Sequence, residues 1–307
     1  MKWNVMITIV FAITLVSCRL GNKDASERKG PLHIVATTGI IGDGLKQLVG
    51  DSAEVSAMMG PGTDPHIYRP TPADVELLDE ADVIVANGLH LEGKMAEMLH
   101  KYAKEKPVLF VSDGIPEDQL LRTAETGDAF DPHIWFDPEL WMLGMKHIAT
   151  ELGKVDTTAV DYFIANYKAY KTELESLEKE LIQQIDSIPP EKRMLVTSHD
   201  AFSYFGRKFG LKVKGIQGVS TLSEVGLKDI SNMVDFVIEH EIRSIFVETS
   251  TSDKTAQSIV DGCKDKNYAL ELAGPLYSDA LGEPDEATGT YVGMIRKNVQ
   301  TIVAGLK

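Results

Sequence analysis

The sequence predicts an α/β protein of two lobes, each a parallel β-sheet flanked by helices, with one long rigid helix joining them. Three observations predict it. Short apolar runs alternate with helix-period segments through the first half of the chain, and the same alternation returns in the last third. Between them, from about Asp156 to Ser187, there is neither Gly nor Pro, and apolar residues recur every three or four positions.

The elements follow in order. Leu32–Ala36 is a short apolar strand, and Ile41, Leu45 and Leu48 carry helical spacing behind it. Further strands are expected at Glu54–Met59, Val83–Ala86 and Val108–Val111, and in the last third at Met194–Thr197, Val213–Ile216, Ser244–Val247 and Ala269–Leu272. Short apolar strands alternating with helices argue for parallel sheets covered on both faces. In the middle segment Phe163, Tyr167, Tyr170, Leu174, Leu177, Leu181 and Ile185 mark one face of a helix. Thr157–Asp161 offers a cap with an acid in the first turn, and Pro189-Pro190 is the stop. A helix of that length spans roughly 45 Å. A short coiled-coil seam would show the same period, but flanking α/β lobes favour a strut. The expected organisation is an export signal at 1–17, a tether at 18–30, lobes at 31–153 and 191–307, and the linking helix at 154–190.

Length and composition agree with two soluble lobes: 307 residues, 43% hydrophobic and 25% charged. The formal charge of -15 argues against a nucleic-acid partner, which usually demands a basic face. At the N-terminus Lys2 precedes an apolar run from Val5 to Val16, too short for a comfortable membrane span. It ends in Leu15-Val16-Ser17-Cys18, which resembles a bacterial lipobox and makes Cys18 the expected lipidation site. The only other cysteine is Cys263, so no disulfide framework is present. Arg19–Gly30 is polar without apolar period, as a flexible tether from the membrane should be.

Chemistry concentrates at strand ends and loops. Gly60-Pro61-Gly62-Thr63-Asp64-Pro65-His66 follows a strand, Asp131–Pro138 is a loop rich in turn formers, Ser198-His199-Asp200 follows the first strand of the last third, and Leu276–Asp279 comes after Gly274-Pro275 and the last strand. Ligands of parallel α/β sheets gather at the carboxyl ends of strands. Each lobe therefore offers two groups to a shared cleft: His66 and His133 from the first, His199 and Asp279 from the second. Three imidazoles and a carboxylate suit a divalent transition metal. On the residues alone, the three histidines read equally well as buried side chains satisfied by backbone groups, and Asp279 as a turn acid.

The whole mature chain resembles the metal-binding solute receptors of bacterial ABC importers, the TroA and ZnuA type. The matching stretches, in family order, are Gly62–Pro72, Asn87–Glu92, Asp131–Asp137, Thr197–Phe202 and Leu276–Gly282. The resemblance implies two α/β lobes on one long helix, no enzymatic activity, and metal ligation by His66, His133, His199 and Asp279. It also implies an extracytoplasmic monomer, anchored to the membrane by lipid, that hands its metal to an importer permease. Two departures bear on the metal. The His- and Asp-rich loop of many zinc receptors is missing between His66 and His133, and the glutamate that manganese receptors often carry in place of His199 is missing too. The donor set resembles that of receptors accepting both Zn and Mn, with Fe(II) in the same range.

Asp64 and Asp131, each preceding Pro-His, and Glu248 at a strand end are candidates to take the second ring N–H of a ligating imidazole. His33, His90, His100, His147 and His240 read as structural or solvated residues. A metal-dependent hydrolase is the rival class, without a His-Glu-x-x-His helix to support it. A surface adhesin built on the same fold is the third reading.

Overall fold

The computed structural model of the protein describes residues 30–123 and 128–307. The export signal, Cys18 and residues 19–29 of the expected tether lie outside the described residues. Among the described residues no helix is long and apolar enough to cross a membrane.

The first half runs β1 (Leu32–Thr38), α1 (Gly39–Val49), β2 (Ala53–Met59), α2 (Pro72–Glu80), β3 (Val83–Ala86), α3 (Ala96–Tyr102) and β4 (Val108–Phe110). Its strands form a parallel sheet in the order β2-β1-β3-β4. Two helices follow, α4 (Pro138–Val155) and α5 (Val160–Ile185). The remainder runs β5 (Met194–His199), α6 (Ser203–Phe209), β6 (Lys212–Gln217), α7 (Leu227–Glu239), β7 (Ser244–Glu248), α8 (Lys254–Asp265), β8 (Glu271–Leu276) and α9 (Tyr291–Leu306). Its parallel sheet, β6-β5-β7-β8, repeats the order of the first. The central strand β3 is buried at every position, which is why it reads as an unbroken apolar run, whereas edge strand β6 mixes exposed and covered positions.

Helix α5 buries the seven residues of the sequence-predicted face, each worth roughly 1.5–3 kcal/mol of gross apolar burial. That face is used within the chain, against α1, α4 and α9. Polar ties follow the same division. Toward its start, Asn166 Nδ2 donates to the Leu48 carbonyl (2.9 Å) and the Tyr170 hydroxyl accepts from Trp141 Nε1 (3.1 Å). Further on, Glu178 pairs with Lys208 (2.6 Å) and Glu180 takes Arg296 through both oxygens. One hydrophobic core runs through both halves and includes Trp141, Phe163, Leu174, Leu177, Tyr291 and Val299. The helix is thus packed into both halves along its length.

Three local expectations are corrected. The long helix starts at Val160, with Ala159 as an N-cap that supplies no side-chain bond, so it is 26 residues and about 39 Å long. Thr158 does not cap it, because its hydroxyl and amide are both committed to Asp156 Oδ1 (2.6 and 3.0 Å) in the α4–α5 turn. Val111 leaves the strand for a 3-10 turn. The last strand is Glu271–Leu276 rather than Ala269–Leu272, and Gly274-Pro275 lie inside it instead of ending it. A bulge accommodates them. Ala273 pairs with Phe246 and Leu276 with Glu248, so β8 absorbs an extra residue on a sheet edge, where Pro is tolerated. Gly274 sits at φ +110°, and a Cβ there would lie 2.8 Å from the Val247 carbonyl oxygen.

Candidate metal centre

Each candidate side chain is delivered by a short device. His66 ends the loop that leaves β2, which turns at Gly62 (φ +68°) between Pro61 and Pro65. Just beyond it the Tyr68 hydroxyl donates to Asp74 Oδ2 (2.7 Å), the acid that completes the capping box of α2 with Thr71. His133 precedes the 3-10 turn that feeds α4, whose N-cap is Asp137. His199 is the last residue of β5, so Ser198-His199 lie within the strand rather than after it, and Glu248 is the last residue of β7. Asp279 follows β8. The second sheet changes direction of strand order at β5 and β7, and the carboxyl ends of such a pair open a crevice.

His66, His133, His199 and Asp279 converge. All are at least 98% buried, and each offers an atom within 4.8 Å of the others. His133 Nε2 lies 3.2 Å from His66 Nε2 and 3.4 Å from His199 Nε2. Asp279 Oδ1 is 3.5 Å from His133 Nε2, and Oδ2 is 3.3 Å from His199 Nε2. Donors bonded at 2.0–2.1 Å to one tetrahedral ion stand about 3.4 Å apart, so the four separations fit one cation at the centre.

The outer nitrogens fix the chemistry of the inner ones. Asp131 Oδ1 accepts from His133 Nδ1 (2.8 Å) and from the His133 main-chain N–H (2.9 Å). Glu248 does the same for His199, ring and main chain together. With Nδ1 as donor, a neutral imidazole presents a bare lone pair at Nε2. Two such lone pairs 3.4 Å apart repel unless a proton or a cation stands between them. Asp64 behaves differently from the expectation: its Oδ1 accepts from the His66 main-chain N–H (2.9 Å), not from the ring.

Burial pushes the His66 pKa down to about 3, with His133 and His199 adding to it against the pull of Asp279. Burial works against a charge on His199 as well, but Glu248 and Asp279 outweigh it and raise its pKa well above the ordinary value. Burial would raise Asp279, yet His199, His133 and His66 hold it well below the usual carboxylate range. Asp279 Oδ1 is buried with no hydrogen-bond partner, while Oδ2 is 3.4 Å from Ser250 Oγ. A carboxylate oxygen left bare in a dry site is costly unless a cation answers it.

Several supporting residues were not singled out from sequence. Trp135 Nε1 donates to the Ser278 carbonyl (2.9 Å), and the Tyr291 hydroxyl to the Trp135 carbonyl (2.8 Å). The Tyr204 hydroxyl donates to the Asp131 carbonyl (3.0 Å). Asn87 Nδ2 donates to the Pro132 carbonyl (2.9 Å), and Glu92 holds the Asn87 amide (2.8 Å) and the Thr37 hydroxyl (2.7 Å). Asn87, Glu92, Trp135 and Ser278 lie inside the stretches that carry the family resemblance, which marks them as a group without giving a role; Thr37, Tyr204 and Tyr291 carry no such signal, since residues of these types in a core are ordinary. His33, His90, His100, His147 and His240 stand outside the cluster.

Two parallel α/β sheets sharing one core, with a small donor cluster at their strand ends, define a solute-binding protein. The chain belongs to the zinc-uptake complex component A periplasmic family, whose pattern matches residues 34–305. It is 40% identical to the manganese-binding lipoprotein MntA of Bacillus subtilis over 308 residues, 100% of each chain. It is also 40% identical to the zinc-binding protein TroA of Treponema pallidum over 286 residues, 93% of this chain and 92% of that one. The solved structure of that TroA superposes with a TM-score of 0.87 over 90% of this chain and 99% of the other.

Proposed function

We propose that this chain is the extracytoplasmic solute-binding protein of an ABC importer, taking up one Zn(II) or Mn(II) ion on His66, His133, His199 and Asp279 and passing it to the permease. The observation that carries the reading is the inward convergence of Nε2 lone pairs from His133 and His199, whose Nδ1 atoms are committed to Asp131 and Glu248. Relatives named for manganese and for zinc support the choice of cargo without separating the two. Fe(II) falls within the same donor chemistry. Stability order favours Zn over Mn at a mixed N/O site, so supply shares in the choice.

Capture follows from the donors. Asp279 brings two oxygens toward the centre, so four side chains fill four or five positions and leave little room for a reacting water. This favours holding over hydrolysis, and the reading assigns no reaction to the site. No observation favours the hydrolase or adhesin readings. The lobes are taken as 31–153 and 191–307 with 154–190 between them. The common core of α4, α5 and α9 limits how far they part, so release acts on individual donors rather than on wide opening. Lipidation at Cys18 would hold a monomer at the membrane surface, near its permease; the lipoprotein relative supports this placement.

The test is elemental analysis with competitive Zn and Mn titration on protein lacking residues 1–18. One ion per chain is expected, with weaker retention in His66→Ala and Asp279→Ala. A chain that holds no stoichiometric metal would sink the reading.

A further inference from the structure

Asp64 is the one acid of the three flanking the site that reaches across the chain. Asp131 serves His133 from two residues away, and Glu248 serves His199 from a neighbouring strand of the same sheet. Asp64 divides its oxygens: Oδ1 accepts from the His66 main-chain N–H (2.9 Å), and Oδ2 accepts from the Thr221 hydroxyl (2.6 Å), 157 residues away. Thr221 lies in the loop between β6 and α7, on the second sheet. Its carbonyl is itself held by Gln217 Nε2 (2.8 Å), and Gln217 stands opposite His199 in the β5–β6 register. A continuous set of contacts therefore runs from His199 through Gln217, Thr221 and Asp64 to His66.

Its position makes this set a closure. His66 is 2% exposed, whereas Asp64 and Thr221 are half-buried, and their neighbours Ile67 and Leu222 are each 49% exposed. The Asp64–Thr221 bond thus lies at the rim, on the solvent side of the buried centre. Among the described residues it is the hydrogen bond that ties the Gly60–His66 loop to the second half. The His133 loop, by contrast, is fastened to the second half by Trp135 with Ser278, Tyr291 with Trp135, and Tyr204 with Asp131.

We infer that the Thr221 hydroxyl is a positioning residue for metal retention: through Asp64 it latches the His66 loop across the cleft, and His66 is the donor that leaves first when the ion is released. The inference rests on the proposed metal centre. The bond sits at the rim, on the side open to a docking permease, while the rings of His133 and His199 are held from behind by Asp131 and Glu248.

The experiment compares Thr221→Val, which keeps the branched shape and removes the hydroxyl, with Thr221→Ser, which keeps the hydroxyl. Zn(II) is loaded and its dissociation followed by stopped flow against an excess of chromogenic chelator, with association measured separately. The Val variant should release Zn(II) about tenfold faster, the loss expected for one hydrogen bond to a charged acceptor, with little change in association. Thr221→Ser should restore the slow release, and both variants should still give a single cooperative melting transition without metal. Equal dissociation rates in wild type and Thr221→Val, or a Ser variant as fast as Val, would overturn the latch while leaving the metal centre standing. A wild-type chain that takes up no Zn(II) would overturn both.

Discussion

Glu248 and His199 meet at the carboxyl ends of two neighbouring strands, where one carboxylate holds both the ring Nδ1 and the main-chain N–H of the same histidine. The bulge that admits Gly274-Pro275 into β8 lies beside this pair, since Glu248 is the residue at which the β7–β8 register resumes. Strand geometry, a single acid and a single histidine together set which nitrogen faces the centre.

Removing that acid should loosen metal rather than unfold the protein. Glu248→Ala and Asp131→Ala are each expected to weaken Zn(II) binding by about 10–100-fold, the usual cost of losing the partner of a ligating imidazole. Calorimetric titration measures it. Unchanged affinity in both would mean that the ring orientations are set by packing alone.

Metal should stabilise the fold by mass action. At free ion near 100 times the dissociation constant, the gain is about 2.7 kcal/mol, read as a raised melting temperature that a chelator reverses. In Asp279→Ala the shift at the same ion concentration should shrink or vanish, because the carboxylate whose Oδ1 lacks any other partner is gone.

The metal-free chain should lose stability on acidification partly through His66. Its pKa is pushed down to about 3 in the folded chain, against 6.5 for the free side chain. The unfolded chain therefore takes up a proton that the folded one refuses, and stability falls as pH drops from about 6.5 toward 3. His199 adds no opposing slope there, because its folded pKa is raised and it is protonated in both states below 6.5. Denaturant midpoints of wild type and His66→Leu at several pH values test this, and the leucine variant should show the shallower slope. Parallel slopes would refute the buried, neutral imidazole.

Leu174 on α5 is fully buried in the core that both halves share. Leu174→Ala should cost about 2–5 kcal/mol in urea unfolding. Ile182→Ala on the same helix, at a side chain 41% exposed, should cost under about 0.5 kcal/mol. Similar losses at both would contradict the orientation of the helix.

The apolar face of α5 was fully legible because helical period is a property of local spacing: all seven residues named from the sequence are the seven that are buried. The β1 and β3 strands were legible from local pattern too, β3 as an unbroken apolar run and β1 as an apolar run interrupted by His33. The ends of elements were not. Thr158 looks like a cap until Asp156 claims its hydroxyl, and Gly274-Pro275 look like a stop until the edge position of β8 makes room for a bulge.

The four candidate donors were readable only as four motifs in order, and two of the three acids in the roles expected of them. By itself the sequence determined the element types, the buried helix face and the chemistry available at each loop, since these depend on residues near one another in the chain. Tertiary structure alone decided that Asp64 reaches Thr221, that Trp135 locks onto Ser278, and that donors from three loops and the end of β5 meet with neighbouring atoms 3.2–3.5 Å apart. Those contacts join residues separated by 66 to 157 positions, and no local pattern encodes a distance across a cleft.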